Sequence, residues 1–349
     1  MLSDNLSTVL MKWQSDYETL YNNDDNVKND FFVTVSNVLY EYELHICDNI
    51  QVENVLLNEQ IGLYEVEKAI KKMKTGKAAG IDKLCNEILK QPPLLHLIFM
   101  FLKTCFDKGI APTMWVKSII TPIPKEKSKC IYTPLNYRGI SLLCTMSKVY
   151  SSILSMRINH YCDALDLIVD EQNGFRHSRS CVNHIFNLTT IIRNYISSKQ
   201  SIYCAFIDFK KAFDCVNINL LMYRLLSYNI DGKVYRAIKS LYNNTQSTVK
   251  LNDFLTDYFY VNSGVKQGDN LSPTLFSLYI NDLAVHIKEL HCGVKIDTDI
   301  VSIILYADDI VLLSDSEVNL QCMLDYLNEW CLKWSLNINC LKSNIVHFR

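Results

Sequence analysis

The stretch Ile304 to Leu313, ILYADDIVLL, constrains the fold more than any other. Two apolar runs, each as long as a short buried strand, flank the adjacent aspartates Asp308 and Asp309. Strands joined by so few residues turn back on one another, so the sequence predicts a tight β-hairpin with its carboxylates at the sheet's edge. Two neighbouring anions there repel unless a cation neutralises them. A third carboxylate, Asp208, ends a similar apolar run, Ile202 to Phe209. If the two strands are neighbours, Asp208 and Asp308 converge at one end of one sheet. Carboxylate oxygens with no His or Cys nearby suit Mg²⁺. Two such ions ~4 Å apart would activate a hydroxyl and stabilise a leaving oxygen in phosphoryl transfer. An ordinary acidic turn with an unrelated Asp208 is the competing reading of these residues taken alone.

The rest of the chain reads as mixed structure. Helical spacing occurs at Trp13–Tyr21, Leu63–Lys74, Asn86–Lys90, Leu94–Asp107, Met146–Leu165 and Cys181–Ser197. A helix pair is expected over 218–243, and single helices over 273–290 and 316–334. Strands are expected at Val116–Ile123, Ile202–Phe209, Ile300–Tyr306, Ile310–Ser314 and Ile345–Phe348, with a hairpin formed by Ser247–Leu251 and Tyr258–Asn262. Residues 124–138 read as a basic loop. From residue 202 onward the order is β-α-α-β-β-α-β-β-α-β, an α+β arrangement of helices on an antiparallel sheet.

Charge is segregated along the chain. Residues 1–70 carry 3 Lys+Arg against 13 Asp+Glu, and residues 71–138 carry 13 against 4. An acidic lead before a basic lobe suggests polyanion binding in that lobe, with a solvated charged helix as the bland alternative. The 13 cysteines show neither C-x-x-C nor zinc-finger spacing and lie in apolar segments, so neither a disulfide nor a zinc site is expected. The longest dense apolar run, Leu94 to Leu102, is too short to span a bilayer, so no membrane partner is expected.

Seven blocks in order resemble the reverse transcriptases of non-LTR (LINE-like) retrotransposons. YADDIVLL (306–313) resembles their catalytic hairpin, and FIDFKKAFDCVN (206–217) their first metal-binding strand. GVKQGDNLSPTLFSLYINDL (264–283) resembles the loop and helix that contact template and nucleotide. NYRGISLL (136–143) and NGFRHSRSC (173–181) resemble two fingers motifs. TGKAAGIDKLCNEILK (75–90) resembles the opening motif, and LNINCLKSNIVHF (336–348) the segment after the hairpin.

The resemblance implies an α+β right-hand polymerase, with an acidic lead-in or linker over 1–60, fingers with part of the palm over 61–200, and palm over 201–349. The sequence ends at Arg349, so a piece truncated before the thumb is the expectation. The implied activity is RNA-directed DNA synthesis from dNTPs on an RNA template and DNA primer, with two Mg²⁺ ions, or Mn²⁺ as substitute, in an intracellular setting. Asp208 and Asp308 would be the main metal ligands, with the Phe209 carbonyl completing a site and Asp309 ligating less directly. Lys342 would donate a proton to pyrophosphate. Phe213 would crowd the sugar 2′ position. Lys125 and Arg138 would hold the triphosphate, Gln267 and Gly268 would lie against nucleotide and template, and Arg176 and Arg179 would touch template phosphates. Ala79 and Gly139 stand where the family commonly has proline. The rivals at this level are a catalytically silent remnant that binds nucleic acid and a polymerase making RNA on RNA.

Overall fold

A computed structural model describes residues 6–22, 30–48, 54–125, 132–176 and 178–349. Its strands, in chain order, are β1 (Lys117–Pro124), β2 (Tyr137–Leu142), β3 (Ile202–Ile207), β4 (Gln246–Leu251), β5 (Phe254–Leu255), β6 (Phe259–Tyr260), β7 (Val294–Ile296), β8 (Asp299–Val301), β9 (Ile303–Tyr306), β10 (Asp309–Ser314) and β11 (Asn344–Phe348). The chain forms two compact units, each assembled from two stretches: Met1–Tyr161 with Asn217–Ser272, and Cys162–Val216 with Pro273–Arg349.

The first unit is built on a five-stranded sheet, ordered β2-β1-β4-β5, with β6 also pairing to β4. One pairing departs from the antiparallel expectation: β1 and β4 run parallel, from Lys117 beside Gln246 to Ile120 beside Val249. The expected second hairpin arm, Tyr258–Asn262, is found as the short β6, and an additional short strand, β5, precedes it against β4. Thr256, between them, takes over the ladder with its side chain: its hydroxyl accepts from the Val249 amide at 3.0 Å.

The expected lead-in is core structure over its first described residues. Helix Leu6–Tyr21 carries Trp13, Tyr17 and Tyr21 four residues apart, so the three rings share one face. They are buried against Ile120, Val249 and Phe259 of the sheet. Residues 126–131 of the expected basic loop fall outside the described residues; Arg138 itself lies in β2, not in a loop.

This packing gives Gly139 a steric role. A Cβ there would lie 2.9 Å from both Ile120 Cγ2 and Tyr17 Cε1. Gly139→Ala is therefore expected to lower stability by about 1–3 kcal/mol through overpacking. The midpoint of a urea titration measures it; an unchanged midpoint would contradict this packing account.

The second unit holds a four-stranded, fully antiparallel sheet ordered β11-β3-β10-β9. Helix Cys181–Ser197 packs on β3 and β9, and helix Glu317–Lys333 on β3 and β10. Ile191 and Tyr195 of the former join Ile202, Cys204, Ile304 and Leu313 in one core cluster. Successive buried positions along β3 explain why its sequence is continuously apolar rather than alternating. Helix Ser272–Glu289 is apolar nearly all round because it is enclosed: Phe276, Tyr279, Ile280 and Leu283 have no exposed surface.

The single strand expected over 300–306 is two. β8 pairs with β7, while β9 pairs with β10. The chain changes partner at buried Ser302, whose carbonyl still accepts from the Leu313 amide at 2.9 Å.

Candidate active site

The antiparallel register of β3 and β10 sets the site. Its last pair is Ile207 with Ile310, so the next position along the same register brings Asp208 opposite Asp309. Directly opposed residues on antiparallel strands project to one face. The β9–β10 hairpin closes at Tyr306 and Asp309, leaving Ala307 and Asp308 as its two-residue loop. Ala307 has φ +58°, and Asp308 does not share the left-handed conformation. A positive φ at the first loop position alone is the II′ pattern, which matches the twist of the flanking strands. Ala is an unusual residue there; surrounding contacts hold it.

Those contacts come from Gln172 to Gly174 and from His184. The Gln172 side-chain oxygen accepts from the amides of Ala307, at 3.0 Å, and Gly174, at 2.8 Å. Leu305 and Gln172 form a short parallel bridge. Buried His184 reaches the Leu305 carbonyl at 2.9 Å and the Asn173 amide group at 3.2 Å. Desolvation lowers the His184 pKa, which favours the neutral ring. Gly174 presses on the turn: a Cβ there would lie 2.2 Å from the Ala307 nitrogen.

Asp208 is held from the far end of the chain. Asn339 donates its side-chain amide to Asp208 Oδ2 at 2.7 Å, and its backbone N–H to the Asp208 carbonyl at 2.8 Å. Ser343 Oγ accepts from the Asp208 amide at 3.1 Å. Lys342 Nζ lies 4.0 Å from Asp208 Oδ2, a partly exposed ion pair. The Asp309 carboxyl sits above the usual carboxylate range, first through desolvation and then through the Asp208 charge, with Lys342 opposing. The Asp208 and Asp309 charges oppose one another, a repulsion that a bound cation would relieve.

The donor set fits a hard divalent ion: carboxylate oxygens with a neighbouring backbone carbonyl and no soft ligand. Among the described residues no three His, Cys, Asp or Glu side chains are grouped closely enough to form a ready-made metal cage. A polymerase-type Mg²⁺ does not need one, since it keeps waters and shares substrate phosphates.

The remaining sequence candidates divide between the units. In the second, Phe209 is buried and bridges Ile338. The Phe213 ring stacks on Phe276 with centroids 4.5 Å apart and meets Phe175 edge-on at 6.0 Å. Arg176 and Arg179 both pair with Asp170, at 3.7 and 2.6 Å, and Arg176 also donates to the Val169 carbonyl. In the first unit, Lys125 follows β1 and exposed Arg138 lies on β2, opposite Ile123. The Gln267 carbonyl accepts from the Ser141 amide at 2.7 Å. Gly268 has φ +114°, and a Cβ there would approach the Ser141 carbonyl to 2.9 Å, so the turn needs glycine.

Residue reading missed Gln172, His184, Asn339 and Ser343. Only Asn339 and Ser343 lay inside a block that resembled a motif, and their side-chain types alone gave no hint of a role.

A sequence model of the family described as reverse transcriptase (RNA-dependent DNA polymerase) matches residues 123–348. The chain belongs to this family. Among its relatives is the probable RNA-directed DNA polymerase from transposon BS of Drosophila melanogaster, 29% identical over 295 residues, covering 81% of this chain and 32% of that protein. The RNA-directed DNA polymerase from mobile element jockey of the same species is 27% identical over 299 residues, covering 82% and 32%. This reverse-transcriptase chain thus spans about a third of the length of the curated relatives it matches. A solved structure of telomerase from Candida tropicalis, in complex with a TWJ fragment of telomeric RNA, superposes with a TM-score of 0.50 at 13% identity, covering 78% of this chain and 47% of that one. At that identity the likeness concerns the fold, a mixed α+β architecture dominated by antiparallel sheets.

Proposed function

We propose that this chain is the polymerase core of an RNA-directed DNA polymerase of the non-LTR retrotransposon type. It would extend a DNA primer's 3′-hydroxyl with dNTPs on an RNA template. The observation that carries the reading is the β3–β10 register, which opposes Asp208 to Asp309 beside the Asp308 turn, in a chain of the reverse transcriptase family.

Asp208, Asp308 and the Phe209 carbonyl would hold Mg²⁺, or Mn²⁺ in its stead, with Asp309 adding negative charge. When bound, two such ions lower the pKa of the attacking hydroxyl and neutralise charge on the leaving pyrophosphate. The protein's own contribution is positioning and electrostatics. Asn339 and Ser343 fix Asp208. Lys342, beside Asp208, carries a proton to hand to the pyrophosphate oxygen. Arg138 and Lys125 supply a planar guanidinium and a flexible ammonium for the triphosphate. Gln267 and Gly268 offer an amide and a close backbone approach to nucleotide and template. Arg179, the more exposed arginine, is the better of the two template contacts, since phosphate must compete with Asp170 for both.

Phe213 is proposed as the gate against ribonucleotides. Its stack on Phe276 supports a fixed ring rather than a mobile one. Phe213→Ala is expected to raise ribonucleotide use relative to dNTP by about tenfold or more, since the rejection is steric. Single-nucleotide extension with each substrate measures the ratio. An unchanged ratio would remove Phe213 from the gate.

A further inference from the structure

We infer that Lys266 and Asp269 form a two-point clamp that fixes the Gln267–Gly268 turn, and thereby sets how tightly the incoming nucleotide is held. The inference rests on the polymerase reading above and assigns positioning residues to it. Every contact involved lies within the first unit.

The two charges bracket the turn and are tied to different elements. Lys266 Nζ donates to the Leu241 carbonyl at 3.1 Å, with the Trp115 carbonyl more distant at 3.5 Å. It also lies 5.6 Å from the centre of the Tyr242 ring. Leu241 is in the last turn of helix Gly232–Tyr242, where carbonyls lack helical partners and favour a cation. Asp269, which is buried, accepts a hydrogen bond from Ser151 Oγ of helix Thr145–Ala164. The loop is closed on itself as well. The Lys266 carbonyl accepts from the Asp269 amide at 3.1 Å and from Ser272 Oγ at 2.9 Å.

Between these anchors, Gln267 and Gly268 lie against β2 through the Ser141 amide and carbonyl. The turn is therefore held at three sides, and a small shift of either charge is transmitted to it. Desolvation pushes the Lys266 pKa down to about 8 while the Asp269 charge holds it up, and Asp269 is raised by burial while Lys266 opposes. Two buried charges of this kind are costly compared with apolar packing, so stability alone is a weak reason for them. Geometric definition of a turn that touches substrate is a better one.

The groups facing Lys266 are Asp269, Cys144, the thiol of which is pushed up to about 11, and the Tyr242 ring, whose hydroxyl is pushed up by burial; Lys148 also faces Asp269. As pH rises through about 8 the Lys266 ammonium loses its proton, and with it the charge that strengthens its hold on the Leu241 and Trp115 carbonyls. Nucleotide KM should therefore rise with pH through that range in the wild type and stay flat in Lys266→Arg, whose guanidinium stays charged.

The test uses the full chain with Lys266→Met, Lys266→Arg and the double variant Lys266→Met/Asp269→Asn. Two readouts are taken: amide hydrogen exchange, and KM and kcat for single-nucleotide extension. Lys266→Met should speed exchange at Ser141 about tenfold or more without changing β3. Its KM should rise about tenfold to a hundredfold, with kcat falling less, and Lys266→Arg should restore KM at neutral pH. Unchanged Ser141 exchange, or a fall in kcat at constant KM, would overturn the clamp. If Lys266→Met loses protection throughout, the double variant decides, since it leaves no unpaired buried charge. Ser141 exposed within an otherwise protected chain supports the clamp, and Ser141 still protected refutes it. A wild type that extends no primer refutes the polymerase reading instead, and exchange alone then judges the clamp.

Discussion

Asp308→Ala is expected to cut primer extension by at least about a thousandfold, the scale on which preorganised charge at a transition state acts. Stability should change by no more than about 0.5 kcal/mol. The asymmetry follows from where Asp308 sits. It is the second residue of a two-residue turn whose conformational demand falls on Ala307, which alone has positive φ. Alanine at 308 meets no special backbone requirement. A thermal melt beside a primer-extension assay reads both quantities. Extension near the wild-type rate would remove Asp308 from the metal site.

Gly174→Ala should have the next largest effect, and by another route. The added methyl would lie 2.2 Å from the Ala307 nitrogen, 2.9 Å from its Cα and 3.0 Å from Gln172 Oε1. Two of these are backbone atoms of the Ala307–Asp308 turn, so neither can rotate away. Either the Gln172 cap or the turn must move, at a cost of about 1–3 kcal/mol. A shift of the turn by about 1 Å would lower extension about a hundredfold, although Gly174 carries no reactive group. Unaltered activity with an unaltered melt would mean that the clash is absorbed elsewhere.

The same two sites show what a sequence can and cannot reveal. The hairpin was legible because its evidence is local: apolar runs of strand length around a short polar turn. Asp208 was legible only in part: β3 reads as an apolar strand that leads into an aspartate, while its pairing with β10, which opposes Asp208 to Asp309, is given by the fold. The supports were not legible. Gln172 lies 135 residues from Ala307, and Asn339 lies 131 from Asp208. Neither is distinguished by type or spacing; each acquires meaning only from tertiary contact.

The same holds for helix Leu6–Tyr21. Its four-residue spacing of aromatics predicts a helix, but not that the face is buried against β1 and β4. In the sequence Gly139 is marked only by standing where the family commonly has proline; its close approach to Tyr17 and Ile120 arises from tertiary contact. The parallel pairing of β1 with β4 joins segments more than a hundred residues apart, and no periodicity encodes strand direction. At Ser302 the apolar run continues while the hydrogen-bond partner changes, so one strand in sequence becomes two in the fold.

The most direct test of the account is primer extension by this chain on an RNA template carrying a DNA primer, with four dNTPs and Mg²⁺, beside the same reaction in EDTA. The account predicts DNA products that lengthen with time, copy the RNA, and vanish when the ion is chelated. Products of equal length with and without the chelator, or none in either, would contradict it.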